Sequence, residues 1–310
     1  MNSTKLICAL ILFIAPSISK THAQLTLKVD DKTAAYLGKF RADYAKSILG
    51  KTELIENYLS ESIRLMPEFQ KTVLGKANAL DYYKAFSSRF IVTDYRRNKI
   101  EILDLGTRVI ETGIFTEKIK LNDGGKEHNI EGKYLSIWER FGNANLTLIT
   151  EAWNYNHQLD IEPLLKFKEI EGVDIALQAH LSIDSPVRFE LAALNKLMEA
   201  TVSQHDSKIW KQFYTDDGMF LYSRNPIYQG RKSIDMFLEE HIKDLPIFEK
   251  LDIRNDRIDE LDNYVIEYAS HIAIIRNGEF SGVFTGKDLA IWRRGSQGSL
   301  KIFRHIAMYD

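Results

Sequence analysis

The hydrophobic positions in the second half of the chain predict helices followed by strands. Residues 186–205 place Phe189, Leu191, Leu194 and Leu197 at helical spacing and therefore predict a helix with one apolar face. Shorter helices are predicted at 208–214 and 231–241, and strands at 219–222, 248–256, 264–276, 282–294 and 299–309. Helices followed by an antiparallel meander indicate an α+β fold with the helices on one face of the sheet.

Two further patterns concern turns and faces. Asn277-Gly278 predicts a hairpin turn, and residues 216–218, which read Asp-Asp-Gly, predict another turn. Along 265–275 the two alternating sets of side chains both contain apolar residues, such as Val265 and Ile266. A strand that is apolar on both faces is covered on both faces. We expect the domain's own helices on one face and a second sheet on the other.

The chain contains an internal repeat. The segment that begins at Gly132 recurs at Gly286 with a constant offset, which aligns Trp138 with Trp292. Weaker matches upstream keep the same order, with Gly75 and Gly230 each preceding a predicted helix. We therefore predict two copies of one domain, at residues 25–165 and 175–310, joined by a linker around 163–185.

Residues 1–24 are typical of a secretory signal peptide. Lys5 precedes an apolar run that is too short to span a bilayer, and small residues precede Gln24. Cys8, the single cysteine, lies inside this segment, so the mature chain is predicted to lack disulfides and a thiol nucleophile. We expect a secreted or periplasmic protein.

Composition excludes several classes of protein. The chain has 310 residues, of which 45% are hydrophobic, and a formal net charge of −2. This apolar fraction is too high for a disordered chain. The chain also lacks the excess of positive charge that is typical of a general nucleic-acid binder. No second apolar run reaches the roughly 18 residues of a membrane-spanning helix, so no membrane span is expected.

The order of elements resembles the nuclear-transport-factor-2-like superfamily, which includes ketosteroid isomerases and SnoaL-like polyketide cyclases. The resemblance rests on residues 213–218, 228–234 and the hairpin from Gly286 to Trp292, with counterparts at 58–62, 75–79 and 132–138. It implies two cone-shaped domains, each a curved, mostly antiparallel sheet wrapped around N-terminal helices with an apolar pocket. Because members of the family often pair sheet to sheet, the resemblance also implies an internal pseudo-dimer in a monomeric chain.

The isomerase chemistry of this family is not supported by the residues. Ketosteroid isomerases place a base Asp shortly after the Asp-Asp turn, whereas residues 219–225 contain no carboxylate. In the first copy, Glu68 is the nearest candidate, and a solvated loop carboxylate is the simpler interpretation. Glu111 and Glu267 occupy equivalent positions in the two copies. This recurrence indicates a role in the fold, such as pairing with Arg140 and Arg294.

The remaining candidates could line a pocket. His271 and His305 are the candidate catalytic residues, since histidine exchanges protons near neutral pH. Candidate ligand-binding residues are aromatic or cationic: Tyr222, Trp292, Arg294, Trp138 and Trp153. The histidines lack zinc-site spacing, and no phosphate loop or dinucleotide fingerprint occurs, so neither a metal nor a cofactor is predicted.

Three functional hypotheses remain open. The first is an exported protein that binds a small apolar or amphipathic molecule in a cone pocket without catalysis. The second is an enzyme of the isomerase, cyclase or hydratase type that uses His271 or His305 as acid and base. The third is a module whose sheet face binds a partner protein. An open cavity with converging polar groups would favour the first two over the third.

Overall fold

The structure is a computed structural model that describes residues 29–50, 53–142, 145–178 and 181–310. The predicted signal peptide at residues 1–24 lies outside the described residues. Within the described ranges, no helix is both long enough and apolar enough to cross a membrane.

The first half of the described chain begins with helices and ends with a meander. Its elements are α1 (Asp31–Ile48), α2 (Glu53–Glu56), β1 (Leu59–Pro67), β2 (Val73–Leu74), α3 (Lys76–Arg89), β3 (Phe90–Asp104), β4 (Arg108–Leu121), β5 (His128–Phe141) and β6 (Asn145–Tyr155). A 3-10 turn (Glu162–Leu165) and the short α4 (Ile175–Gln178) lie in the predicted linker.

The second half repeats this order. Its elements are α5 (Pro186–Ser203), α6 (Ser207–Trp210), a 3-10 turn (Lys211–Phe213), β7 (Tyr214–Tyr222), β8 (Ile227–Gln229), α7 (Arg231–His241), β9 (Ile247–Leu261), β10 (Tyr264–Asn277), β11 (Phe280–Arg294) and β12 (Leu300–Tyr309).

Each half forms one six-stranded sheet with the same strand order. The first sheet runs β2-β1-β6-β5-β4-β3 and the second runs β8-β7-β12-β11-β10-β9. The long strands pair antiparallel, while β1 pairs parallel with β6 and β7 pairs parallel with β12. Helices pack on one face of each sheet, with Leu37 of α1 and Leu191 of α5 in the two cores. The predicted α+β class with two cone-like domains is confirmed.

Local sequence signals explain where the helices begin. The side chain of Asp30 accepts a hydrogen bond from the Thr33 amide at the start of α1, and Ser185 caps α5 in the same way. Gly75 and Gly230 precede α3 and α7 with φ of 87° and 79°, a conformation that disfavours other residues.

The predicted turn at residues 216–218 is wrong. These residues continue β7, which runs from Tyr214 to Tyr222 beside β12. The pairing of β7 with β12 shifts register between Ile302 and Arg304. An Asp-Asp-Gly sequence is therefore accommodated here by an irregularity within a strand, which local turn propensity cannot distinguish from a reversal of the chain.

The other faces of the two sheets share one apolar cluster. Residues of the first sheet, such as Ile110 and Leu135, lie in the same buried cluster as Ile266, Tyr268 and residues of β11 and β12. The alternation in β10 follows from this, because Ile266 and Tyr268 face the other sheet, whereas the odd-numbered residues from Glu267 to Ile275 face the interior of their own cone.

Hydrogen bonds join the two halves in matched pairs. The Phe69 amide donates to the Tyr309 carbonyl at 3.0 Å, and the Arg224 amide donates to the Tyr155 carbonyl at 2.8 Å. Lys133 donates to the Asn225 carbonyl at 2.7 Å, and its repeat counterpart Lys287 donates to the Gln70 carbonyl at 2.6 Å. Equivalent positions of the repeat thus make equivalent contacts with the opposite half.

Candidate functional site

The second domain encloses a large cavity between its sheet and its helices. The cavity has a volume of about 1000 Å³, at the upper end of the roughly 300–1000 Å³ that small-molecule sites occupy. Most of its lining is apolar and comes from β7, β9 to β12 and the helices. The first half and the linker add to the wall through Phe69, Glu162, Pro163, Lys166 and Lys168.

A carboxylate flanked by two imidazoles forms a polar centre in this wall. Asp288 of β11 lies 2.8 Å from Nδ1 of His271 on β10 and 3.0 Å from Nε2 of His305 on β12. The Tyr214 hydroxyl lies 3.0 Å from Nδ1 of His305. His305 also stacks on the Phe220 ring. Both ring nitrogens of His305 are therefore engaged, which fixes its orientation.

His271 differs because only one of its ring nitrogens is held. Because a carboxylate oxygen of Asp288 can only accept, the hydrogen bond assigns the proton to Nδ1 of His271. No described residue forms a hydrogen bond with Nε2, and the side chain lines the cavity. The ring lies over Gly286, where a Cβ would come within 2.5 Å of Nε2. Only glycine at this position leaves room for the imidazole.

The electrostatics of this centre favour a charged pair. Burial disfavours the charged imidazole, but the Asp288 charge and hydrogen bond outweigh it and raise the pKa of His271. The two histidines in turn overcome the burial of Asp288 and hold the pKa of its carboxyl well below its usual range. The centre is therefore built around an ionised Asp288.

A second polar group, Glu267, closes another part of the wall. Its carboxylate accepts from the Asn195 amide at 2.8 Å, from the Asn255 amide at 2.7 Å and from the Trp292 indole at 2.6 Å. Burial raises the pKa of Glu267 although these donors oppose it. Three neutral donors satisfy this carboxylate, so it is already saturated by the protein.

The corresponding space in the first domain is filled. Its cavity measures about 30 Å³, room for little more than a water molecule. Arg97 donates to Glu151 at 2.6 Å, with both side chains about 1% exposed, and lies over the Tyr134 ring. The rest of the lining is largely aromatic: Tyr44, Tyr82, Tyr83, Phe86, Tyr95, Phe115, Trp153 and Tyr155.

Strand register shows which residues make this difference. Phe115 pairs with Gly132 as His271 pairs with Gly286. Ser136 pairs with Glu151 as Ala290 pairs with His305, and Tyr134 pairs with Trp153 as Asp288 pairs with Ala307. Phe115, Tyr134, Glu151 and Trp153 in the first cone are thus replaced by His271, Asp288, His305 and Ala307 in the second. Three large aromatic rings are thus replaced in the second cone by a histidine, a carboxylate and an alanine, and the Glu151 carboxylate is replaced by an imidazole.

The sequence candidates fall into three places. His271, His305, Tyr222 and Trp292 all line the large cavity. Trp153 lines the small space in the first cone.

The other two lie outside both cavities as described. Trp138 is fully buried in the first core. Arg294 forms an ion pair with Glu190 at 2.9 Å near the end of β11.

The pairings suggested for the recurring glutamates are different in the structure. Glu111 pairs with Arg41 at 2.5 Å and accepts from Tyr134, whereas Arg140 pairs with Asp104. The sequence of the strands did not reveal these partners, because Arg41 lies on α1 and reaches Glu111 from across the core.

Glu68 is buried between the two halves, so its interpretation as a solvated loop carboxylate is wrong. It accepts from the Ser223 hydroxyl at 2.7 Å and from the Tyr309 amide at 3.2 Å. Burial raises its pKa to about 7. The residue that follows β1 lies against the second half, a contact that the sequence of one domain cannot show.

Asp288 is the member of this polar centre that sequence reasoning missed. The signal was present in the repeat itself, since the gapless alignment places Asp288 opposite Tyr134. A carboxylate at the position of a core aromatic residue marks a place where the two copies diverge. Among the described residues, no group of three or more His, Cys, Asp or Glu side chains is arranged to hold a metal ion.

The chain is similar to several solved structures, each of which covers about two fifths of it. A ketosteroid isomerase-like protein from Erwinia carotovora atroseptica is 14% identical and covers 41% of this chain and 98% of its own, with a TM-score of 0.33. A putative scytalone dehydratase from Novosphingobium aromaticivorans is 18% identical over 39% of this chain and 85% of its own, at 0.33.

A nuclear-transport-factor-2-like superfamily protein from Salmonella enterica is 15% identical over 40% of this chain and 89% of its own, with a TM-score of 0.32. These descriptions include the superfamily that the sequence resembles. No family model and no curated protein sequence matches the chain. The fold itself is defined by the strand order and register given above.

Proposed function

We propose that the second domain binds a small apolar or amphipathic molecule in its cavity. The observation that carries this proposal is the contrast between about 1000 Å³ of open space in the second cone and about 30 Å³ in the first. A large apolar cavity with a few convergent polar groups is the usual form of a small-molecule site.

Binding of a neutral fluorescent probe tests this proposal. N-phenylnaphthylamine fluoresces when it enters an apolar site, and we expect saturable binding with a stoichiometry of one per chain. Native mass spectrometry of the purified protein would identify any co-purifying molecule. Absence of saturable probe binding by the folded protein would contradict the proposal.

A second candidate is acid–base catalysis on the bound molecule, and one observation favours it. His271 is oriented by Asp288 at 2.8 Å, its side chain lines the cavity, and its Nε2 has no hydrogen-bond partner among the described residues, an arrangement suited to proton transfer. Incubation with carbonyl compounds in heavy water, followed by mass spectrometry, would detect proton exchange. Exchange that survives in His271→Gln would exclude this residue as the base.

We also propose that the chain is exported and monomeric. The N-terminal pattern at residues 1–24 supports export, and the shared apolar cluster between the two sheets supports internal pairing within one chain. The mass of the protein recovered from outside the cytoplasm tests cleavage before Gln24. Light scattering tests the monomer, and a stable dimer would contradict internal pairing.

A further inference from the structure

His271 is a polar group in the cavity with one nitrogen held by the protein and one left for a ligand. Asp288 holds the Nδ1–H in either protonation state, so Nε2 is the nitrogen whose role changes. When the ring is neutral, Nε2 can only accept a hydrogen bond. When the ring is protonated, Nε2 becomes a charged donor, and a buried charged donor without an acceptor is costly.

Most of the polar groups near His271 are occupied, whereas Lys168, on the linker side of the wall, lines the cavity without a hydrogen bond to a described residue. Both nitrogens of His305 are engaged, the carboxylate of Glu267 accepts three hydrogen bonds, and the hydroxyls of Tyr222 and Tyr309 lie 2.8 Å apart. A ligand that enters the cavity therefore meets His271 Nε2 as a polar atom that the protein leaves unsatisfied.

His241 is a useful comparison because it also lines the cavity. It packs against the rings of Phe237 and Tyr222, and burial lowers its pKa. No described carboxylate forms a hydrogen bond with it. Of the two imidazoles, His271 is therefore the one equipped to carry a charge.

The charges around His271 come from the strands on each side. Asp288 and Lys287 lie on β11, His305 and Asp310 lie on or beside β12, and β9 places the uncharged Ile253 opposite. The two aspartates favour protonation, while burial and Lys287 oppose it, and the net effect raises the pKa of His271. The protonated ring consequently persists to higher pH than in a free histidine.

We infer that the cavity selects an amphipathic carboxylic acid, whose carboxylate accepts from His271 Nε2 while its apolar body fills the cone. This inference rests on the proposed function, since it names the ligand class of the same site. A charge-assisted hydrogen bond is about twice as strong as a neutral one. The same apolar chain with an alcohol in place of the acid keeps the hydrophobic contacts and can accept one hydrogen bond, but it loses the attraction between the carboxylate and the charged ring.

Displacement of N-phenylnaphthylamine by matched competitors tests the inference. Dodecanoic acid, dodecanol and methyl dodecanoate share one chain and differ at the head group. At about pH 6 we expect the acid to bind roughly ten-fold more tightly than the alcohol, the factor for one charge-assisted hydrogen bond. The preference should fall towards unity as pH rises through the raised pKa of His271, because the ring then loses its proton.

Two variants separate His271 from the rest of the cavity. In His271→Gln the acid preference should vanish while the affinity for dodecanol stays within about two-fold of wild type. In the matched control, His241→Gln, the acid preference should remain. If His271→Gln does not fold, the pH dependence of the wild-type acid preference carries the test alone.

The outcomes distinguish the inference from the function on which it rests. Probe binding with equal affinities for acid and alcohol at every pH, or with an acid preference that survives in His271→Gln, overturns the carboxylate assignment and leaves the cavity as a binding site. Failure of the wild-type protein to bind the probe overturns both.

Discussion

The two cones have the same strand order and register, yet one is a solid core and the other is hollow. In the first cone, Arg97 and Glu151 form a buried ion pair among stacked aromatic rings. In the second, the register equivalents of these two residues are Ile253 and His305. A handful of substitutions at inward-facing strand positions thus decides whether this fold is a structural unit or a container.

The two recurring tryptophans sharpen the same comparison. The Trp292 indole donates to Glu267 at 2.6 Å, whereas the buried Trp138 indole nitrogen has no partner among the described residues. In the first cone Glu111 is engaged by Arg41 and Tyr134 instead. The first cone uses its recurring glutamate to hold a cation, and the second uses it to complete a neutral wall.

The largest expected effect is the loss of stability when the buried ion pair of the filled cone is removed. Arg97→Met leaves Glu151 buried without its cation and should reduce the free energy of unfolding by about 3–5 kcal/mol. The matched change in the hollow cone, Ile253→Met, should cost less than about 1.5 kcal/mol. Calorimetric melting of both variants checks this difference. Equal losses of unfolding free energy in the two variants would contradict a stabilising role for the ion pair.

The next effect depends on pH in the first cone. Burial raises the pKa of Glu117 from 4.5 to about 8, so its neutral form stabilises the fold and this stability is lost as pH rises from about 4.5 through 8. Glu117→Gln should therefore stabilise the protein by roughly 2–5 kcal/mol at about pH 9 and change little at about pH 4.

Melting temperatures across this pH range provide the measurement for Glu117. The exposed Glu131 on β5 supplies the control, because Glu131→Gln makes the same substitution outside the core. A profile for Glu117→Gln that parallels the wild type at all pH values would refute the assigned burial.

A smaller effect, on ligand affinity, is expected when a large side chain partly fills the cavity of the hollow cone. Ala307→Trp introduces the residue that Trp153 supplies in the first cone and should weaken probe binding about a hundred-fold, or about 2.7 kcal/mol. Ala307→Ser adds little volume and serves as the control. Fluorescence titration measures both, and unchanged affinity in the tryptophan variant would show that ligands bind elsewhere.

The smallest effect concerns the polar centre alone. Asp288→Asn removes the negative charge beside His271 and replaces one acceptor oxygen with a donor amide, so the pKa of His271 should fall. Asp310→Asn should lower this pKa to a smaller extent, because Asp310 acts through charge at longer range. NMR titration of the His271 ring protons compares the two, and an unaltered titration in Asp288→Asn would contradict the hydrogen bond.

Much of the fold could be predicted from the sequence because it depends on local periodicity and on the repeat. The helix at residues 231–241 was predicted with the bounds that the structure shows, and the meander strands agree within a few residues. The segment 216–218 failed because Asp and Gly favour turns locally, whereas pairing with β12 keeps them in a strand.

The site was harder to predict from the sequence because it depends on contacts between residues that are far apart in the chain. His271 and His305 were selected as histidines that could share a pocket, but Asp288 joins them only when β10, β11 and β12 lie side by side. The hollow interior itself follows from small residues such as Ala273 and Ala307 at inward positions. Small residues carry no chemical signature that marks a cavity in advance.

The crossed backbone hydrogen bonds at Phe69 and Arg224 have a consequence for how the protein can be divided. Each half ends its last strand against the other half, and each covers an apolar sheet face of its neighbour. An isolated second half would expose Ile266, Tyr268 and Ile291 to water and would associate through that face. The hollow domain therefore depends on the filled one to cover its apolar sheet face.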